Sequence, residues 1–456
     1  MPFTVITLGE FLDNLADRLD DPNSSFFSRA ELLEYTTEAM RTFAAHTGYW
    51  VRRAEFLTTP GVKDYDLTNL AKYNLGSGDV FPAQLVVTDR DLVNSLAYSL
   101  LEPPITTWPS GWIGTEQFSL SLLLEAAKYG VNFIQSRDGL IGQASSQIAQ
   151  PTPINQYDLP VDYLNIRSAY WQVVEGQQYP LARQNQHVRS LISDNSPTPN
   201  SFSVVATAPR KVELSPNPTD TGTLVYIYNP GHNTLLPTSA ATTLYLPTNF
   251  AWAAKYSALF TLLNADGERR DKFRAEYCAM RIKDSKVLAN ILPGMLRCFI
   301  DGVEVGSTAA WDEDYNLPNW RNLTGKPDHV VNHTWNIISL SAIPAAITDN
   351  PTGEYSISFD ISANAPIPAS EADYLDIGSE LIQPLVDFAH HLACFKLGGQ
   401  EFSDSIPSYE RFLRFAMQYN SKLLAESQNF ELLREKSNTQ KRRRPVAVAV
   451  ETGEQE

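Results

Sequence analysis

Histidines and carboxylates are the first residues to test for chemistry in this chain. His329 and His333 stand four apart, a spacing that on one helix face would offer two imidazoles to zinc. The stretch around them, KPDHVVNHTW, reads as strand or loop with no third ligand in sequence, so a structural role is expected. His390 and His391 fall in a helical pattern beside Asp387, where packing is the expected role. Asp312, Glu313 and Asp314 lack the spaced ligands and glycine of a calcium loop and are expected to be a solvated loop. No Walker-type phosphate loop, dinucleotide-binding glycine pattern or nucleophile elbow is present. A carboxylate pair for glycoside hydrolysis is assembled by folding and leaves no local spacing to read. The sequence therefore assigns no catalytic residue, metal ligand or cofactor.

The C-terminal end offers binding chemistry. Lys441, Arg442, Arg443 and Arg444 form a basic cluster, followed by Pro445 and the alternating Val446, Val448 and Val450. Such a segment can anchor to a partner, the cations pairing with acidic groups while the apolar run adds to a sheet edge. A solubilising end, or arginine contact with DNA, are the other readings. Trp311, Trp320 and Trp335 crowd one β-like stretch and are candidate docking aromatics.

The elements that would position these residues are those of a globular protein with room for two or three domains. Of 456 residues, 43% are hydrophobic and 19% charged. The net charge of −16 opposes a large surface gripping phosphates, although an acidic body can surround DNA without holding it. Cys278, Cys298 and Cys394 have no metal-ligand spacing and are expected to be small core residues. No apolar run approaches the ~18 residues of a membrane span. The start lacks a basic segment followed by an apolar one, so no signal peptide and synthesis in the cytoplasm are expected.

The first elements are a helical hairpin. Thr7 is placed to cap a helix carrying Phe11, Leu12, Leu15 and Ala16 on one face, ended by Asp20, Asp21 and Pro22. Ser28 and Glu31 form a capping-box pair for the next, whose apolar side is Leu32, Leu33, Ala39, Met40 and Phe43. Glu34, Glu38 and Arg41 are expected to lie mostly elsewhere. After Gly48 the chain turns extended, with a Pro-Gly turn and then YDL.

This order then returns. TDRDLVNSLAYSLLEP from Thr88 aligns with TLGEFLDNLADRLDDP from Thr7 at an offset of about 81 residues, and the second helix and Gly48/Gly139 follow at about 91. A mostly β region runs from Pro160 to about Leu246, then helices are expected at about Asn249–Asn264 and Arg270–Lys283. Phe273, Tyr277 and Met280 mark the buried stripe of the latter. A second β region at 293–348 leads into GEYSISFDI, which echoes GTLVYIYNP at an offset of about 131. Two more helices, about Ile377–Lys396 and Ser408–Ser427, are joined by LGGQEFSDSIP. Front, front, back, back is the order left by inserting one unit inside another, which surface loops tolerate; two intertwined modules or chance similarity are the other readings. The expected class is α+β, with an outer module at 1–85 and 293–436, an inner module at 86–292 and a flexible tail at 437–456.

The segments TLGEFLDNLADRLDD, FFSRAELLEYTTEAMRTFAAHTGYW, YDLTNL and LPVDYLNIRSAYW resemble the N-terminal region of tailed-bacteriophage head-to-tail adaptor (connector) proteins. LYLPTNFAWAAKYSALFTLLNADGERRDKFRAEYCAMRIKD is similar to that group's closing helices. The resemblance covers roughly three-fifths of the chain and rests on hydrophobic pattern; the departures are the greater length and the doubling. It implies a non-enzymatic structural virion protein at the neck. The subunits, commonly twelve, would form a homo-oligomeric ring under the portal protein. The ring would be part of the channel through which genomic double-stranded DNA passes, and would receive tail tube, nozzle or fibre proteins. A tail hub or fibre-attachment protein, docking through Trp311, Trp320 and Trp335, and a tail-associated polysaccharide-degrading enzyme are the rival readings.

Overall fold

The computed structural model describes residues 6–67, 87–103, 108, 118–149, 156–173, 177–185, 198–205, 209–235, 240–265, 270–291, 295–317, 319–334, 336–348, 350–362 and 365–442. Past residue 420 the description is of the backbone alone. The chain is α+β. In chain order it forms α1 (Leu8–Arg18), α2 (Arg29–Thr47), β1 (Val51–Leu57) and β2 (Asp64–Asp66). Next come α3 (Asp89–Ser99), α4 (Leu120–Asp138), β3 (Gln143–Ala149), β4 (Gln156–Asp158), β5 (Tyr163–Val173), β6 (Gln178–Pro180) and β7 (Ala182–Arg183). They are followed by β8 (Ser201–Val205), β9 (Lys211–Ser215), β10 (Gly222–Pro230), α5 (Ala251–Leu263) and α6 (Lys272–Ile291). The third group is β11 (Met295–Ile300), β12 (Val303–Val305), β13 (Ser307–Ala309), α7 (Ala310–Asn316), β14 (Thr324–Gly325), β15 (Val330–Asn332) and β16 (Ile337–Leu340). The last are β17 (Ile343–Pro344), β18 (Ser356–Ser362), α8 (Ser379–Leu397) and α9 (Gly399–Arg442).

The helix starts follow from their caps. The Thr7 hydroxyl accepts from the Glu10 N–H while the Glu10 carboxylate accepts from the Thr7 N–H, and Ser28 and Glu31 do the same for α2. Thr88 with Asp91 repeats the box on α3, and Ser119 accepts from Leu122 N–H on α4. Each such cap contributes about 1 kcal/mol. Helix α1 ends with Asp20 at φ 53° and α3 with Leu101 at φ 61°, the same position at the first offset. Gly48 and Gly139 both close their helices at left-handed φ, where a side chain would be strained.

Two sets of elements share one topology. Among 87–291, one sheet runs β3-β10-β5-β6 and the other β4-β9-β8-β7. Among 6–67 and 295–442, the sheets run β1-β18-β11-β12 and β2-β16-β15-β13. The pairing sense agrees strand for strand, including the parallel ends β7 with β8 and β13 with β15. Isolated bridges tie Thr7 to Tyr374 and Thr88 to Thr243, so each front helix is fastened to its own set. The inner set passes from β4 to β5 directly, whereas the outer set leaves at Leu67 and returns at Met295.

Alternating strand residues face inward as the sequence indicates. Leu224, Tyr226 and Tyr228 are buried in one set and Tyr355, Ile357 and Phe359 in the other. They build two separate β cores. The helices behave otherwise: α1 to α6, α8 and α9 of both sets pack into one continuous apolar core.

Several expectations are corrected. Tyr277 is buried on α6 as expected, but the stripe it belongs to is Ala275, Cys278, Arg281 and Ile282, while Phe273 and Met280 are 46% and 41% exposed. A buried arginine inside the stripe disguised its phase. Glu31 and Glu38 of α2 are buried, because helices press on that helix from several sides. The stretch expected to link the last two helices is itself helical. Gly398 and Gly399, at φ 69° and 55°, reverse the chain in two residues, and α9 starts at once. The acidic run is helical: Asp312, Glu313 and Asp314 lie in α7. Glu313 accepts from the Thr308 hydroxyl, and Asp314 from Trp320 and Arg321. Helix α9 continues to Arg442, so residues 437–442, expected in the tail, are helical.

Candidate functional site at the seam between the two sets

Buried polar side chains line the place where the two sets meet. On the helical side, Lys255 of α5 reaches Glu38 of α2 at 2.6 Å, and the Tyr256 hydroxyl donates to the same carboxylate at 2.9 Å. Both charged side chains are about 5% exposed or less. Removing one partner of such a pair strands the other charge in a poor solvent. Arg281 of α6 is fully buried in a cage of rings, its guanidinium 4.3 Å from Trp252, 5.2 Å from Tyr256, 5.4 Å from Phe388 and 5.6 Å from Tyr409. It donates to the Tyr409 hydroxyl at 3.1 Å and to Thr42 at 3.4 Å. One cation thus joins α6, α2 and the last two helices.

The sheet side is tied by hydrogen bonds. Asn336 accepts from Gly142 N–H at 2.8 Å and donates to its carbonyl at 2.9 Å. The Tyr170 hydroxyl donates to Asp64 at 2.9 Å. Asn322 accepts from the Gln178 N–H at 2.7 Å and donates back to its carbonyl at 3.1 Å. His333 bridges Ser168, 3.2 Å from one ring nitrogen, and Ser339, 2.7 Å from the other. Burial lowers His333 to about 4. Burial, with the Arg281 charge second, lowers His46 and His391 to about 3. Lys63 lies under the Trp320 ring and burial brings it to about 7.

A cleft of about 120 Å³ opens beside the helical seam, lined in part by Glu34, Glu38, Arg41, Asp91, Trp252 and Lys255. Its buried carboxylate, Glu38, is held by Lys255 and Tyr256. Among the described residues, no three His, Cys, Asp or Glu side chains are gathered as for a metal ion.

The residues singled out in the sequence fall in different places. Trp320 is fully buried, donating from its indole to Asp314 at 2.7 Å, so it has no face to offer a docking partner. Trp311 lies on α7 with its side chain outside the described residues, and Trp335 lies outside them altogether. His329 stands between Asp328 and Glu313, while His333 faces the sheet seam, so the two imidazoles do not converge. His391 packs on Tyr409 and Phe402, and Asp387 takes Arg18 and Arg411. All three cysteines are buried thiols; burial pushes Cys298 up to about 12 and Cys394 up to about 11. Lys441 and Arg442 close α9, whereas Arg443, Arg444, Val446, Val448 and Val450 lie outside the described residues. Sequence reasoning missed Arg281, the Glu38–Lys255 pair and Asn336. The readable signal was Arg281 falling between Cys278 and Ile282 on an otherwise apolar stripe.

No protein-family model and no curated protein matches the chain. Among solved structures, it is similar to a chain in one described as the neck of an empty GTA particle computed with C6 symmetry. The identity is 14% and the TM-score 0.16, over 45% of this chain and 93% of that one.

Proposed function

We propose that the chain is a structural virion protein of the neck, a head-to-tail adaptor that forms a ring below the portal and part of the DNA channel. The observation that carries this is the seam: two units of one topology packed side by side through their helices, with buried polar groups spent on holding them together. Rings are made of units that pack side by side with a constant rotation. The adaptor resemblance of the front hairpins and closing helices supports the same reading. The charge of −16 suits a wall past which DNA slides without its phosphates being held. On this reading the chain is one adaptor-like unit inserted into another and is not an enzyme, and the basic end from Lys441 to Arg444, with the valines after it, is the anchor to the portal. The rival docking role for the tryptophan-rich stretch loses Trp320, which is buried.

Native mass spectrometry and negative-stain imaging of the purified chain, with and without a portal protein, test the proposal. Rings, or complexes that form on the portal, are expected. A chain that stays monomeric and ignores the portal, or that hydrolyses surface glycans, would displace it. Deleting residues 439–456 is expected to weaken portal binding, and unchanged binding would remove the anchor role.

A further inference from the structure

We draw no further inference here: the strongest candidate, the surface patch on α4 where Tyr129 is 49% exposed and stacks on Phe133 at 5.8 Å, carries nothing, because nothing in the structure shows what covers it.

Discussion

The helices and the strands of the two sets pack differently. The helices of both sets merge into one apolar core, whereas the strands of each set keep a core of their own and meet across hydrogen-bonded side chains. A helix can bury several sides at once and so be shared between units. A short strand presents alternate residues to two faces, and its inward face is already used by its own partner sheet. The difference teaches where the two sets are inseparable. It is at the helices, where Arg281 and the Glu38–Lys255 pair sit dry.

Acid should break that contrast most widely. His46, His333 and His391 are held neutral, with values lowered from the usual 6.5 to between about 3 and about 4. Each contributes stability present in full above about 6.5 and lost as pH falls toward the lowered value, because the unfolded chain then binds the proton first. Denaturant titrations between pH 7 and 4 should show stability falling throughout this window. A flat profile would mean that the rings are not buried as neutral groups.

Substitutions separate the two sides of the seam. Glu38→Ala or Arg281→Ala should cost about 3–5 kcal/mol in denaturant unfolding, the first by stranding Lys255 and the second by emptying the ring cage. Asn336→Ala, on the sheet side, should cost about 1–3 kcal/mol, since it leaves the Gly142 backbone pair unsatisfied in a buried place. Equal losses on both sides would erase the distinction drawn here. The smallest effect compares the sets directly. Thr7→Ala and Thr88→Ala remove equivalent caps, and each should lower stability by about 1 kcal/mol. A loss confined to one of them would show that the two sets do not fold as one cooperative body.

Local signals carried much of the architecture. Thr7, Ser28 and Thr88 as caps, Gly48 and Gly139 as stops, and the alternation from Leu224 and from Tyr355 are written within a few residues, because caps, left-handed turns and strand faces depend on near neighbours. Repetition of those signals at fixed offsets let the order of the elements be read as well. The tertiary structure alone decided which polar residues are interior. Glu38 and Arg281 look like surface residues by type, and only packing by distant helices supplies Lys255, Tyr256 and the ring cage that make their burial tolerable. Trp320 shows the reverse: an aromatic expected at a docking surface is claimed by Lys63 from a distant part of the chain and by its near neighbours Asp314 and Arg321. Burial is set by contacts hundreds of residues apart, and a linear pattern holds no record of them.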